Sequence, residues 1–306
     1  MINVATRGSK LALWQAEFVR EKLKSIGVSA QLKVVKTTGD IIQDKPLHEW
    51  GGKGVFVKEI EKALLDREAD IAVHSLKDLP ANIESPFVLP CIFARHPAHD
   101  VIVLSKQLAK RFAGKEILSQ DDFRDSTPLK MGTGSLRRSW LLRSVNPQLA
   151  ILPMRGNIDT RLKRLQDGDF DAIILAGASL YRLPLAQDLA AFTLDPVWFV
   201  PCAAQGALAV ETLKDHPLVG KLRHLTDATT ERLVAIERKV LSLLGADCNL
   251  PVGVHAREEG NTVRCRAVLF DETGKESRSQ AVFAKSIPAD DCAQQIFEAL
   301  YSVQYN

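Results

Sequence analysis

The chain has 306 residues, 46% of them hydrophobic and 25% charged, and a formal net charge of +3. That balance suits a globular protein of two or three domains and excludes a disordered, collagen-like or low-complexity chain. The small basic excess argues against a nucleic-acid partner, so any anion site must be a local concentration of arginine and lysine.

The apolar runs, such as Ala172 to Ala178, are too short to span a bilayer, and no membrane partner is expected. Met1 to Ala5 carries no basic stretch leading into an apolar one, so no secretory signal is expected there. The 5 cysteines (Cys91, Cys202, Cys248, Cys265, Cys292) are scattered without a CxxC spacing. A disulfide framework or metal site is not expected, and a reducing, cytoplasmic setting fits.

Taken in order, Ile2 to Thr6 reads as a strand. Ser9 then caps a helix with Leu13, Trp14, Phe18, Leu23 and Ile26 at helical spacing, and Gly27 stops it. Leu32 to Lys36 reads as a strand, Val55 to Arg67 as a helix and Asp70 to His74 as a buried strand. This alternation predicts an α/β unit with a largely parallel sheet.

The pattern repeats with strands at Asp100 to Leu104, Lys130 to Gly132 and Asp171 to Ala176, and helices at Ser135 to Val145 and Ile158 to Gln166. The stretch Pro196 to Glu211 is expected to cross back to the first unit. The last third reads as an α+β module. It has a long amphipathic helix (Thr229 to Leu244), strands near Val252 to Ala256, Thr262 to Leu269 and Glu276 to Ala284, and a closing helix (Ala289 to Tyr301). The resulting division is 1–95 with 200–222, then 96–199, then 223–306.

Several clusters carry polar chemistry. Thr6-Arg7-Gly8-Ser9 and Gly132-Thr133-Gly134-Ser135-Leu136-Arg137-Arg138 each join a strand end to a helix start, where backbone N–H groups suit an anion. Two arginines in a first helical turn oppose the helix dipole, which implies an anion that offsets them. Arg155, Arg161 and Arg182 also follow strand ends, as a ligand with several carboxylates or phosphates requires. A strand ends in His74-Ser75-Leu76-Lys77-Asp78, where α/β sheets place their ligands. Gly51-Gly52-Lys53-Gly54 lacks the full phosphate-loop spacing, so it reads as a glycine loop carrying a lysine. Cys248 sits in a turn beyond a long helix, where a thiol can serve as nucleophile or attachment point. A binding protein that holds a polycarboxylate without turnover is the competing class.

In this order the segments resemble the porphobilinogen deaminase family. The resemblance rests on Ala5 to Ser9 with Leu11 to Ala16, Gly51 to Gly54, Ala69 to Asp78, Ser135 to Arg138, Arg155 to Asn157, Asp171 to Ala176, Gln205 to Leu208 and the Cys248 loop with Pro251 and Gly253. It implies two type II periplasmic-binding-protein-like α/β domains flanking a cleft, plus a small α+β domain with a three-stranded antiparallel sheet.

The resemblance also implies an enzyme that condenses four porphobilinogen molecules, releases ammonia and yields hydroxymethylbilane. A dipyrromethane cofactor would be held as a thioether on Cys248. Asp78 takes the catalytic position. Ser9, Lys77, Thr133, Ser135, Arg137, Arg138 and Arg155 fall at cofactor-binding positions, and Arg7, Gln15, Lys53, Arg161 and Arg182 at substrate-binding ones. The family precedent is a monomer, with no metal. Such chemistry needs a proton for the departing amine and a carboxylate beside the electron-poor pyrrole, both roles for Asp78. On this reading Arg138→Leu impairs cofactor assembly or chain elongation more than folding. The chain departs from the family pattern at Ala246-Asp247, where two glycines are usual, at Ala204 in place of a glycine, and at Gly134 in place of a serine.

Overall fold

The structure is a computed structural model that describes residues 1–37, 57–124, 128–183, 189–245 and 250–304. Lys53 with its glycine loop, and Cys248 with Ala246 and Asp247, lie outside the described residues. The expected α/β class with a C-terminal three-stranded antiparallel sheet is what the chain forms.

The first unit runs β1 (Ile2–Thr6), α1 (Lys10–Ser25), β2 (Ala30–Val34), α2 (Lys58–Leu65), β3 (Ile71–Ser75) and β4 (Phe87–Ile92). Strand β2 begins two residues before the sequence reading placed it. Alternate side chains of β1 and β3 enter different layers. Val4, Ile71 and Val73 pack with Ala16, Val19 and Leu23 of α1, while Ala5 and Ala72 pack with Ile60, Ala63 and Leu64 of α2. Burial on both faces explains why these strands read as unbroken apolar runs. Each such leucine or isoleucine contributes about 1.5–3 kcal/mol of burial.

The second unit runs β5 (Asp100–Leu104), α3 (Lys106–Ala109), β6 (Ile117–Leu118), α4 (Asp121–Arg124), β7 (Lys130–Gly132), α5 (Leu136–Arg143), β8 (Ala150–Leu152), α6 (Ile158–Gln166), β9 (Ala172–Ala176), α7 (Gly177–Arg182) and β10 (Ala191–Leu194). The same two-sided burial recurs. Ile102, Ile174 and Met131 meet Leu141 and Leu142 on one face, and Val103, Ile173 and Leu175 meet Leu162 and Leu165 on the other.

The chain then returns through β11 (Leu208–Leu213), which inserts between β3 and β4 in the order β2-β1-β3-β11-β4. The second sheet has the order β6-β10-β5-β9-β7-β8. Both sheets are largely parallel, as the alternation predicts: β2, β1, β3 and β4 run one way, as do β6, β10, β9, β7 and β8, and among the described residues each sheet holds a single reversed strand. β11 runs antiparallel to both β3 and β4, and β5 runs antiparallel to both β9 and β10. These strands arrive directly from the opposite sheet, without the crossover helix that a parallel neighbour requires.

The two crossings, between β4 and β5 and between β10 and β11, bind each other. His96 N donates to Gly206 O at 3.2 Å and Phe93 N to Leu208 O at 3.0 Å. A Cβ on Gly206, whose φ is 91°, would stand 2.3 Å from His96 O, so only glycine lets the crossings meet so closely.

The last unit follows α8 (Val219–Arg223). Helices α9 (Ala228–Leu243) and α10 (Ala289–Gln304) cover one face of β12 (Val252–Glu259), β13 (Thr262–Phe270) and β14 (Glu276–Ala284). The buried Glu237 of α9 accepts a bidentate pair from Arg95 at 2.7 and 3.0 Å, and also the amides of Ala204 and Ala256. One carboxylate thereby ties both crossings to this unit.

Candidate active site

The strand ends set the positions. β1, β3, β7 and β9 release the chain at Thr6, Ser75, Gly132 and Ala176, and the polar side chains follow directly. Ser9 caps α1 by accepting from Ala12 N, and Ser135 caps α5 by accepting from Arg138 N. The Thr133 hydroxyl accepts from Ser135 N at 3.2 Å. All three hydroxyls act there as acceptors, which leaves each O–H to donate to a ligand. Gln15 donates to Ser75 Oγ at 2.9 Å, fixing α1 against the residue that opens the Leu76–Asp78 turn. Arg7 directly follows β1, at the same end of the sheet.

Arg161 and Arg182 share the influence of one carboxylate, that of Asp78. Burial pushes the Arg161 guanidinium down to about 10, the like charges of Arg138 and Arg155 push the same way, and Asp78 opposes them. Burial brings Arg182 to about 10 as well, again with Asp78 opposing. Both remain cationic at neutral pH. Arg161 Nε donates to Gly156 O at 2.7 Å. The buried Arg182 donates to Gly206 O at 2.7 Å and leaves Nε without a hydrogen-bond partner among the described residues. Half-buried Arg155 makes no hydrogen bond or ion pair with the described residues. Asp78 itself is exposed. Among the described residues, Arg155, Arg161 and Arg182 have no ion-pair partner, and the exposed Asp78 is the carboxylate whose charge acts on Arg161 and Arg182.

Arg137 and Arg138 are placed differently. Both are buried and grip Asp100, which has no exposed surface. Arg137 Nη2 meets Oδ2 at 2.7 Å, while Arg138 meets Oδ1 through Nε at 3.1 Å and Nη2 at 2.6 Å. Burial alone would raise the Asp100 carboxyl. The two guanidinium charges and a bond from Gln205 outweigh it and bring it to about 2. The anion implied by two arginines in a first helical turn is therefore supplied by the protein itself.

Lys77 joins this network through Gln205, whose Oε1 accepts from its Nζ at 3.2 Å. His74 is turned inward, its Nε2 standing 3.0 Å from Oε2 of the buried Glu211. Lys53 and Cys248 fall outside the described residues.

Comparison with known proteins gives the family. The family model for the porphobilinogen deaminase dipyrromethane cofactor binding domain matches residues 2–221, and that for the porphobilinogen deaminase C-terminal domain matches residues 232–302. The chain belongs to the porphobilinogen deaminase family. It is 41% identical over 278 residues to the porphobilinogen deaminase of Bordetella parapertussis, covering 90% of this chain and 84% of that one. It is 39% identical over 303 residues to that of Helicobacter acinonychis, covering 97% and 93%. An ancestral cationic amino acid solute binding protein overlaps 73% of this chain and 87% of its own, at 13% identity and a TM-score of 0.44.

Two departures from the deaminase pattern have local causes. A Cβ on Gly134 would lie 2.6 Å from Met154 O, so this chain's turn excludes the serine frequent in the family. Ala204 adopts φ 58°, a conformation that glycine takes more easily, and is held there by its backbone N–H, which donates to Glu237 Oε2 at 2.6 Å. Asp100 carried no separate signal in the sequence, since it opens an apolar strand. Gln205 stood within a matched segment, but nothing local revealed its partners.

Proposed function

We propose that this chain condenses four porphobilinogen molecules head to tail on a dipyrromethane primer, releasing ammonia and the linear tetrapyrrole hydroxymethylbilane. The observation that carries the reading is that Arg161 and Arg182, without an ion pair among the described residues, both feel the exposed carboxylate of Asp78, with Arg155 and Arg138 close to Arg161. Each pyrrole of porphobilinogen bears two carboxylates, so a growing chain needs several cations in one cleft.

A polycarboxylate such as dipyrromethane fits the donors present. The unpartnered Nε of Arg182, the unpaired Arg155 and the free hydroxyl donors of Ser9, Thr133 and Ser135 all suit acetate and propionate groups. Bound through Cys248, the cofactor supplies the pyrrole carbon that starts the chain. Arg137 and Arg138 contribute the guanidinium donors that Asp100 leaves unused. Arg7, Gln15, Lys53, Arg161 and Arg182 receive the incoming substrate.

Asp78 performs the acid–base work. Its carboxyl delivers a proton to the departing amine. The resulting carboxylate then stabilises the electron-poor pyrrole and takes up the proton lost on coupling. Its exposed position lets successive rings reach it. The neighbouring arginines hold substrate carboxylates beside it.

On this reading the three units are 1–95 with 200–222, 96–199, and 223–306, acting as a cytoplasmic monomer. None of the described helices is long and apolar enough to cross a membrane.

Intact mass under denaturing conditions tests the reading directly. The purified chain is expected to carry the mass of two deaminated porphobilinogen units, and Cys248→Ser to lack it. Incubation with porphobilinogen should release ammonia and give uroporphyrin I after oxidation. A folded chain that reconstitutes with no cofactor and consumes no porphobilinogen overturns the proposal.

A further inference from the structure

Gln205 has no exposed surface, and its amide is fully used. Nε2 donates to Ala98 O at 2.6 Å and to Asp100 Oδ1 at 3.0 Å. Oε1 accepts from Lys77 Nζ at 3.2 Å and from Cys202 Sγ at 3.4 Å. An amide offers two N–H donors and two acceptor lone pairs, and each has a partner here. The reversed amide would set its oxygen against a carbonyl and a carboxylate and its N–H groups against an ammonium, so the chemistry fixes the orientation. The main chain is held too, with Gln205 O accepting from Arg95 Nε at 2.6 Å.

The partners lie on both sides of the crossings. Lys77 belongs to the turn that carries Asp78, directly after β3. Asp100 opens β5 of the second sheet and holds Arg137 and Arg138. Gln205 therefore links the Asp78 turn to the arginine pair through one rigid side chain. It is also a neutral acceptor. A glutamate here would hold Lys77 equally well but would quench its charge and repel Asp100. The amide fixes the ammonium and leaves its charge for a ligand.

We propose that Gln205 is a positioning residue for the deaminase reaction. It orients the Lys77 ammonium toward the dipyrromethane carboxylates and locks it in register with the Asp100–Arg137–Arg138 group. The inference rests on the function proposed above, with Lys77 in its cofactor-binding role.

Two measurements test it. In the apoprotein, an amine-reactive ester followed by peptide mass analysis reads Lys77 itself. Gln205→Met should speed Lys77 labelling several-fold and leave exposed Lys24 unchanged, while equal Lys77 labelling overturns the proposal. In the holoenzyme, Gln205→Met should lower kcat by about 10- to 100-fold with little change in KM, as expected for a resident group held off its productive geometry. The Gln205→Met/Lys77→Met double variant should be no slower than Lys77→Met alone, because both changes remove one function.

Multiplying effects, an unchanged kcat, or a Gln205→Met chain that cannot load dipyrromethane would each overturn the positioning role. Where Gln205→Met does not fold, Gln205→Asn keeps the amide one methylene too short and undergoes the same two measurements. Where Lys77→Met does not load the cofactor, Lys77→Arg completes the cycle. A wild-type holoenzyme that turns over no porphobilinogen overturns the function itself instead.

Discussion

Arg138 grips Asp100 side-on, with Nε and Nη2 both reaching Oδ1, at 3.1 and 2.6 Å. Its Nη1 donates to Ile174 O on the adjacent strand at 3.0 Å. With Arg137 on the other oxygen and Gln205 alongside, the carboxylate is surrounded by donors in a site closed to water. Such a group contributes mainly through the damage its removal does, since two buried guanidinium ions would be left without a counter-charge.

Asp100→Asn should therefore destabilise the chain by about 3–5 kcal/mol, read by urea unfolding at pH 7. The Asp100 carboxyl is held near 2, against an ordinary 3.8. Its stabilising contribution is thus fully present above about 4 and is lost as pH falls from there toward 2, worth about 2 kcal/mol in all. The acid limb of the wild-type stability curve should be steeper than that of the variant. Parallel acid limbs would mean that other carboxylates govern acid unfolding.

Arg138→Leu revises an expectation from the sequence. That residue was expected to matter for cofactor and chain more than for folding. Its bonds to Asp100 and Ile174 O predict a loss of stability as well, of about 3–5 kcal/mol. A thermal midpoint within a degree or two of wild type would show that Asp100 is satisfied without it.

The legible part of this molecule was the local part. Ser9 and Ser135 could be placed as caps because a cap bonds only two or three residues ahead. The two-sided strands around Val4 and Ile173 stood out as apolar runs bounded by polar strand ends. Strand β4 did not, because Pro90 interrupts it, and a proline is tolerated there only because β4 forms the edge of its sheet. β8 spans three residues and the helix α3 a single turn, too short to express a period. Of the site, Asp78 and the arginines were visible from their places at strand and helix ends. What those arginines touch was not. Arg137 and Asp100 lie 37 residues apart and Gln205 and Asp100 105 apart, so only the packing of the second sheet against the crossings brings them together.

Asp78→Ala isolates the chemistry. The side chain is exposed, so its removal should leave the thermal midpoint within the range of neutral surface changes, about 0.5 kcal/mol. Porphobilinogen consumption should fall by at least about 100-fold as the proton donor and the stabilising charge go together. A variant retaining substantial turnover would transfer both roles to another group.

Arg155→Ala provides the contrast with Arg138. Arg155 is half-buried and bonds to none of the described residues, so stability should again move by no more than about 0.5 kcal/mol. A charge-assisted bond to a ligand carboxylate is worth about 1.5–3 kcal/mol, so kcat/KM for porphobilinogen should fall by about 10- to 100-fold. Unaltered kinetics with full cofactor content would remove Arg155 from the site.

His255 gives the fold a second pH dependence, distinct from that of Asp100. It lies on β12, and burial pushes its imidazole down to about 3, helped by the charges of Arg95, Arg257 and Arg266 and by His99. Burial and the cationic charges acting on it make the folded state refuse a proton that the unfolded chain accepts near 6.5. Its contribution is complete above that value and falls away as pH drops from about 6.5 toward 3, by about 1.4 kcal/mol per unit. At pH 5 this amounts to about 2 kcal/mol relative to pH 7. His255→Gln, which keeps a polar side chain of similar size and cannot take the proton, should flatten the curve over this interval while matching wild type more closely at pH 7. Urea midpoints for both chains at pH 7 and pH 5 decide the matter, and an equal drop in the two would assign the dependence elsewhere.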